Sequence, residues 1–95
     1  MLALMRPLFD DVTANEGDLL ELICVTNDTR STISTHIHRP ISVPRRLPHD
    51  SPIISVPNVT RDFAGTYTCF VINETDSSFV SETSEVVIQC KLPLQ

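Results

Sequence analysis

Apolar side chains in this chain fall on every second residue, and a period of two narrows the fold more than any other feature of the sequence. Between Gly17 and Val25, Leu20, Leu22 and Cys24 share one face while Leu19, Glu21, Ile23 and Val25 share the other. Such spacing suits the alternating faces of a β-strand, whereas a helix would bring together residues three and four apart. No long stretch shows the helical spacing. Thr32 to His38 sets Ile33, Thr35 and Ile37 against Ser34, His36 and His38, giving a more polar strand whose exposed face carries the histidines. Gly65 to Ile72 sets Tyr67, Cys69 and Val71 against Thr66, Thr68, Phe70 and Ile72. Further strands are expected at Ile53 to Val56 and from about Val80 to Gln89, with a polar turn at Asn73 to Ser78. Prolines 40, 44, 48 and 52 cannot donate ladder hydrogen bonds, so the stretch between Arg39 and Pro52 reads as loop or edge. The expectation is an all-β chain in which Gly17 to Val25 is a central strand covered on both faces.

At 95 residues one hydrophobic core is expected. Seven basic against twelve acidic residues leave a net charge of -5, which repels phosphate backbones and argues against a nucleic-acid partner. No apolar run approaches the roughly 18 residues of a membrane span, so direct membrane insertion is not expected. Met1 to Met5 is too short for a signal-peptide core, which points to a fragment or to a targeting sequence already removed. Cys24, Cys69 and Cys90 allow three single-bridge pairings, and each leaves one thiol over.

The stretch Ile54 to Cys69 is the most specific. Asp62, Gly65, Tyr67 and Cys69 form an Asp-x-x-Gly-x-Tyr-x-Cys pattern, preceded by the apolar pair Ile54 and Val56. Gly relieves steric limits at the turn into the strand. A Tyr two residues before the Cys can pack inward while its hydroxyl reaches back to turn backbone, and Asp62 could cap the turn by accepting N–H bonds. This pattern resembles the immunoglobulin superfamily over about residues 10–89, leaving 90–95 as the start of a linker. The resemblance implies a two-sheet antiparallel sandwich with a bridge between Cys24, which follows Leu20 and Leu22, and Cys69. Closing that loop would stabilise the fold by about 4 kcal/mol. The family's usual Trp on the third strand is missing, and Ile37 stands at about its distance from Cys24. A smaller residue there would forgo about 1 to 2 kcal/mol of hydrophobic stabilisation if nothing fills the space. The short proline-rich segment favours an intermediate- or constant-2-like domain over a full variable set.

Three of the four asparagines, Asn27, Asn58 and Asn73, open Asn-x-Ser/Thr sequons in expected loops. Glycosylation is expected at all three, although Asn73 has a competing role in turning the hairpin. Sugars and an oxidised bridge together imply an extracellular ectodomain, since the cytosol keeps thiols reduced.

Chemistry beyond binding finds little support. His36 and His38 share a face and could hold zinc with His49 or Asp50, but no Cys pair supports a metal site, a solvated polar face is the preferred reading, and neither metal nor cofactor is expected. There is no nucleophile elbow and no glycine-rich phosphate loop, the chain having two glycines, so an enzyme is not expected. Arg45 and Arg46 read as a solvated edge or as partners for Asp62. Cys90 is a free thiol or bridges to a neighbouring domain. The outward residues Phe70, Ile72 and Val87 are the expected interface for a protein partner, homophilic or heterophilic. The functional expectation is an adhesion or matrix binding module in tandem with other extracellular domains. A ligand-binding module of a growth-factor or cytokine receptor is the alternative, and an intracellular muscle-type domain, with free thiols at Cys24 and Cys69, a third.

Overall fold

The structure is a computed structural model and describes residues 7–40 and 51–90. Met1 to Met5, Pro44, Arg45, Arg46, Pro48, His49, Asp50 and the stretch 91–95 lie outside the described residues. Among the described residues six strands and one 3-10 turn follow in order: β1 (Val12–Asn15), β2 (Leu20–Ile23), β3 (Ile33–His38), β4 (Ile53–Val56), the turn Arg61–Phe63, β5 (Gly65–Asn73) and β6 (Ser78–Gln89). Four strands form one sheet in the order β1-β6-β5-β3, and β2 pairs with β4 in a second.

The period of two becomes the core. Leu20, Leu22 and Cys24 point inward with Ile54 and Val56 from the same sheet, and they meet Ile37, Tyr67, Cys69, Val86 and Ile88 from the other. Phe63 and Val59, both fully buried, close one end. Cys24 and Cys69 are bonded across the sheets with Cα atoms 5.4 Å apart, and Cys90 is free and exposed. Ile37 pairs with Cys69 in the β3–β5 register and is 2 % exposed, so it stands beside the bridge, the place its distance from Cys24 suggests.

Two expectations need correcting. β2 is not covered on both faces, because the second sheet packs inward only, and Leu19, Ile23 and Val25 are all exposed. Its strand is also shorter than Gly17 to Val25, the end being an isolated bridge from Val25 to Leu8. Asp62 does not cap its turn: among the described residues no side chain does, and the amides of Phe63 and Ala64 donate instead to the carbonyls of Thr60 and Arg61. A single 3-10 turn satisfies these groups internally, leaving the Asp62 carboxylate in solvent.

β1 was not anticipated. It runs parallel to the end of β6, Val12 beside Val86 and Asn15 beside Gln89, with Val12 and Ala14 packed against the core. The chain thus leaves the β2 side at Leu8 and joins the other sheet four residues later. Buried Ser84 fastens this crossing by donating to the Asp10 carbonyl at 2.6 Å, and the Glu85 amide donates to Asp11 Oδ1 at 2.9 Å.

Candidate binding face

Side chains of even-numbered residues on β5 point away from the core, and the antiparallel register fixes their neighbours. Phe70 lies between His36 on β3 and Ser81 on β6, and Ile72 lies between Ser34 and Phe79. Four rings consequently form a row across the outer face. His38 meets Phe70 edge-on with centroids 5.0 Å apart, His36 lies 5.6 Å from both Phe70 and His38, and Phe79 lies 5.8 Å from Phe70. Such separations suit edge and offset aromatic contacts. Phe70 and Ile72 are half-buried beneath this row, whereas Phe79 is 60 % exposed.

Val87 does not belong to the patch. It is exposed on the same face, but it pairs with Thr13, six residues along β6 from the Ser81 that faces Phe70. At about 3.4 Å per residue the separation is roughly 20 Å. The expected trio of Phe70, Ile72 and Val87 is therefore two apolar residues with Val87 remote, and the missing member is Phe79. Starting the last strand at about Val80 hid it. The cue was available: a hairpin closing between Asn73 and Ser78 sets Phe79 opposite Ile72.

The sequons occupy both ends of the sandwich. Asn27 lies in the loop after β2, which touches the β5–β6 hairpin through the Glu74 amide donating to the Thr32 carbonyl at 2.9 Å. Asn73 begins that hairpin, so both mark one end. Asn58 marks the other, in a turn where Val59 exchanges backbone hydrogen bonds with Gly17 and Asp18. Asn73 Oδ1 accepts the Thr75 amide at 3.0 Å, which is the turn role weighed against modification. Asn58 has φ 52°, a left-handed conformation that Asn tolerates better than most residues. Asn27 has neither duty: it is exposed and forms no side-chain hydrogen bond among the described residues.

Beside Asn27, Asp28 receives a fork from Arg30, Nε to Oδ1 at 2.9 Å and a terminal nitrogen to Oδ2 at 2.6 Å. The Arg30 hydrogen bonds hold the Asp28 carboxyl below its usual range and raise the guanidinium in turn. Among the described residues no three His, Cys, Asp or Glu side chains come together as metal ligands. The zinc partners considered for His36 and His38, namely His49 and Asp50, lie outside the described residues, as does the Arg45-Arg46 pair.

Two packed β-layers, the larger one mixed through parallel β1 rather than wholly antiparallel as expected, are joined by the Cys24–Cys69 bridge, and the Tyr67 hydroxyl returns to Phe63 in the turn before its strand, which decides the architecture. The chain has an immunoglobulin-like fold.

No protein-family model matches it. A mouse protein, MAM domain-containing glycosylphosphatidylinositol anchor protein 2, is 28% identical over 79 residues, which are 82% of this chain and 8% of that protein. This immunoglobulin-like chain therefore spans a small part of the curated relative it matches. Among solved structures, the Ig-like domain of human leucine-rich repeat-containing protein 4 superposes with a TM-score of 0.64 at 19% identity, covering 94% of this chain and 89% of that one. Immunoglobulin domains 1–5 of Sidekick-1 give 0.66 at 20% identity, with 90% and 20% covered. Titin domains Z1Z2, solved in complex with telethonin, give 0.64 at 14% identity, with 94% and 48% covered. Likeness at this level of identity extends to the immunoglobulin-like fold.

Proposed function

We propose that this chain is an extracellular immunoglobulin-like module of an adhesion or matrix protein, one unit of a tandem array, that binds a protein partner through the outer face of its four-stranded sheet. The observation that carries the reading is the row His38, His36, Phe70 and Phe79. An aromatic side chain that is 60 % exposed while its ring is tilted against a half-buried one offers apolar area already held in place, and ordered aromatic anchors dominate protein interfaces. Sequons at both ends of the sandwich favour the face between them, since a bulky hydrated glycan at a loop tip obstructs docking there. Likeness to single units of much longer proteins supports the tandem arrangement. The oxidised bridge supports an extracellular setting.

The test compares Phe79→Asp and Phe70→Asp with Leu19→Asp, which charges the opposite face, for the domain secreted from mammalian cells. Self-association is read by sedimentation equilibrium, and partner binding by staining of cultured cells with the tetramerised domain, circular dichroism confirming the fold. The Phe79 and Phe70 variants should lose about 30-fold or more in affinity, the factor equivalent to roughly 2 kcal/mol at an interface centre, while Leu19→Asp binds normally. Folded Phe79→Asp and Phe70→Asp that bind as tightly as the wild type would rule this face out.

A further inference from the structure

The outer face of the second sheet carries its own apolar patch, distant from the aromatic row. Ile23 and Ile53 face each other in the β2–β4 register, Val25 bridges to Leu8, and all four are more than two-fifths exposed. Alongside them runs a groove of about 340 Å³ bounded by Ile23, Val25, Ile33, Thr35, Pro52 and Ile53. An exposed apolar patch of this extent calls for a cover. The two residues flanking Asn27 in sequence, Thr26 and Asp28, also line that groove.

We infer that Asn27 carries an N-linked glycan whose first sugars lie in this groove and cover Ile23, Val25 and Ile53. Asn27 is exposed and has neither constraint found at the other sequons, since the Asn73 side chain holds the hairpin turn and the Asn58 backbone is left-handed. The fork from Arg30 fixes Asp28, the middle residue of the sequon, together with a 3.2 Å bond from the Arg30 amide to Asp28 Oδ1. A glycan anchored between two lining residues therefore starts from an ordered base. Pyranose rings present apolar C–H faces edged by hydroxyls, which suits a groove of Ile, Val and Pro side chains rimmed by Thr26, Thr35 and Asp28. Attachment also makes the contact intramolecular, so a weak sugar–groove affinity suffices at a high effective concentration.

The inference rests on the extracellular reading, and the experiment separates the two. The domain is secreted from mammalian cells, its glycopeptides are mapped, and a peptide N-glycosidase trims its glycans away whole. Asn27 should be occupied, and trimming should lower Tm by about 4 °C or more, a shift resolvable for a domain of this length. Trimming should also create a site for the apolar dye ANS. Asn27→Gln should reproduce both effects without trimming, and Ile23→Ser with Ile53→Ser should abolish the dye site. Occupancy at Asn58 with none at Asn27 overturns the inference while leaving secretion intact. So does an occupied Asn27 whose trimming changes neither Tm nor dye binding. A chain that carries no sugar and keeps Cys24 and Cys69 reduced overturns the extracellular reading as well.

Discussion

Tyr67 shows how a single residue links motif to stability. Its hydroxyl is buried and donates to the Phe63 carbonyl at 2.6 Å, so the ring fills the core while the oxygen fastens the preceding turn. Tyr67→Phe keeps the ring and removes the bond, leaving a buried carbonyl without that donor. It should destabilise the domain by about 1 kcal/mol or more in urea denaturation. Burial pushes the phenol up to about 12 from the ordinary 10.0. The neutral form is thus favoured by folding, and its contribution is intact below pH 10 and is lost as pH rises from 10 toward 12. Tyr67 is the only tyrosine in the chain, so ultraviolet titration of tyrosinate absorbance reports it directly. Alkaline destabilisation in that window should be smaller in Tyr67→Phe. This residue was legible in the sequence because its partner is four positions away. Ser84 was not, because the carbonyl it satisfies belongs to Asp10, 74 positions earlier, and nothing local marks an inward serine as bonded.

Range in sequence also decides which elements could be read. The bounds of β4 match the expected strand because four residues between a Pro-rich loop and a turn carry their own punctuation. β1 escaped notice because its four residues gain their ladder from the far end of β6, in a parallel pairing that no local turn specifies. β2 showed apolar residues on both faces, which suggested burial on both. The second sheet covers one face only, so alternation gave the inward set correctly and the outward set an environment it does not have. Gly65 marks where β5 must begin: its φ is 142°, and a Cβ there would lie 2.8 Å from Cγ of Pro40. Gly65→Ala combines a conformation that L residues avoid with a clash against a stiff ring. It should destabilise by about 1 to 3 kcal/mol, read as a lowered urea midpoint, and a midpoint unchanged from wild type would remove this reason for the glycine.

At the scale of the whole molecule, two faces and two ends divide the work. Loops at either end hold the sequons, the outer face of the four-stranded sheet holds the aromatic row, and the apolar patch of the second sheet borders a groove that reaches across to β3. The sandwich and its signature were legible because the residues that build them lie within one short stretch plus a single upstream cysteine. The aromatic face was half legible: Phe70 and Ile72 follow from alternation on one strand, but their neighbours depend on register, which replaced Val87 with Phe79 and brought in both histidines. The extracellular setting, on which the proposed function depends, stands on the bridge between the two sheets, because an extracellular module keeps Cys24 and Cys69 oxidised while a domain of the reducing cytosol does not. Non-reducing peptide mapping of the chain isolated from the cells that make it tests this most directly. One linked peptide pair joining Cys24 to Cys69, with Cys90 in neither, is the predicted result; free thiols at Cys24 and Cys69, or a Cys69–Cys90 link, would contradict it.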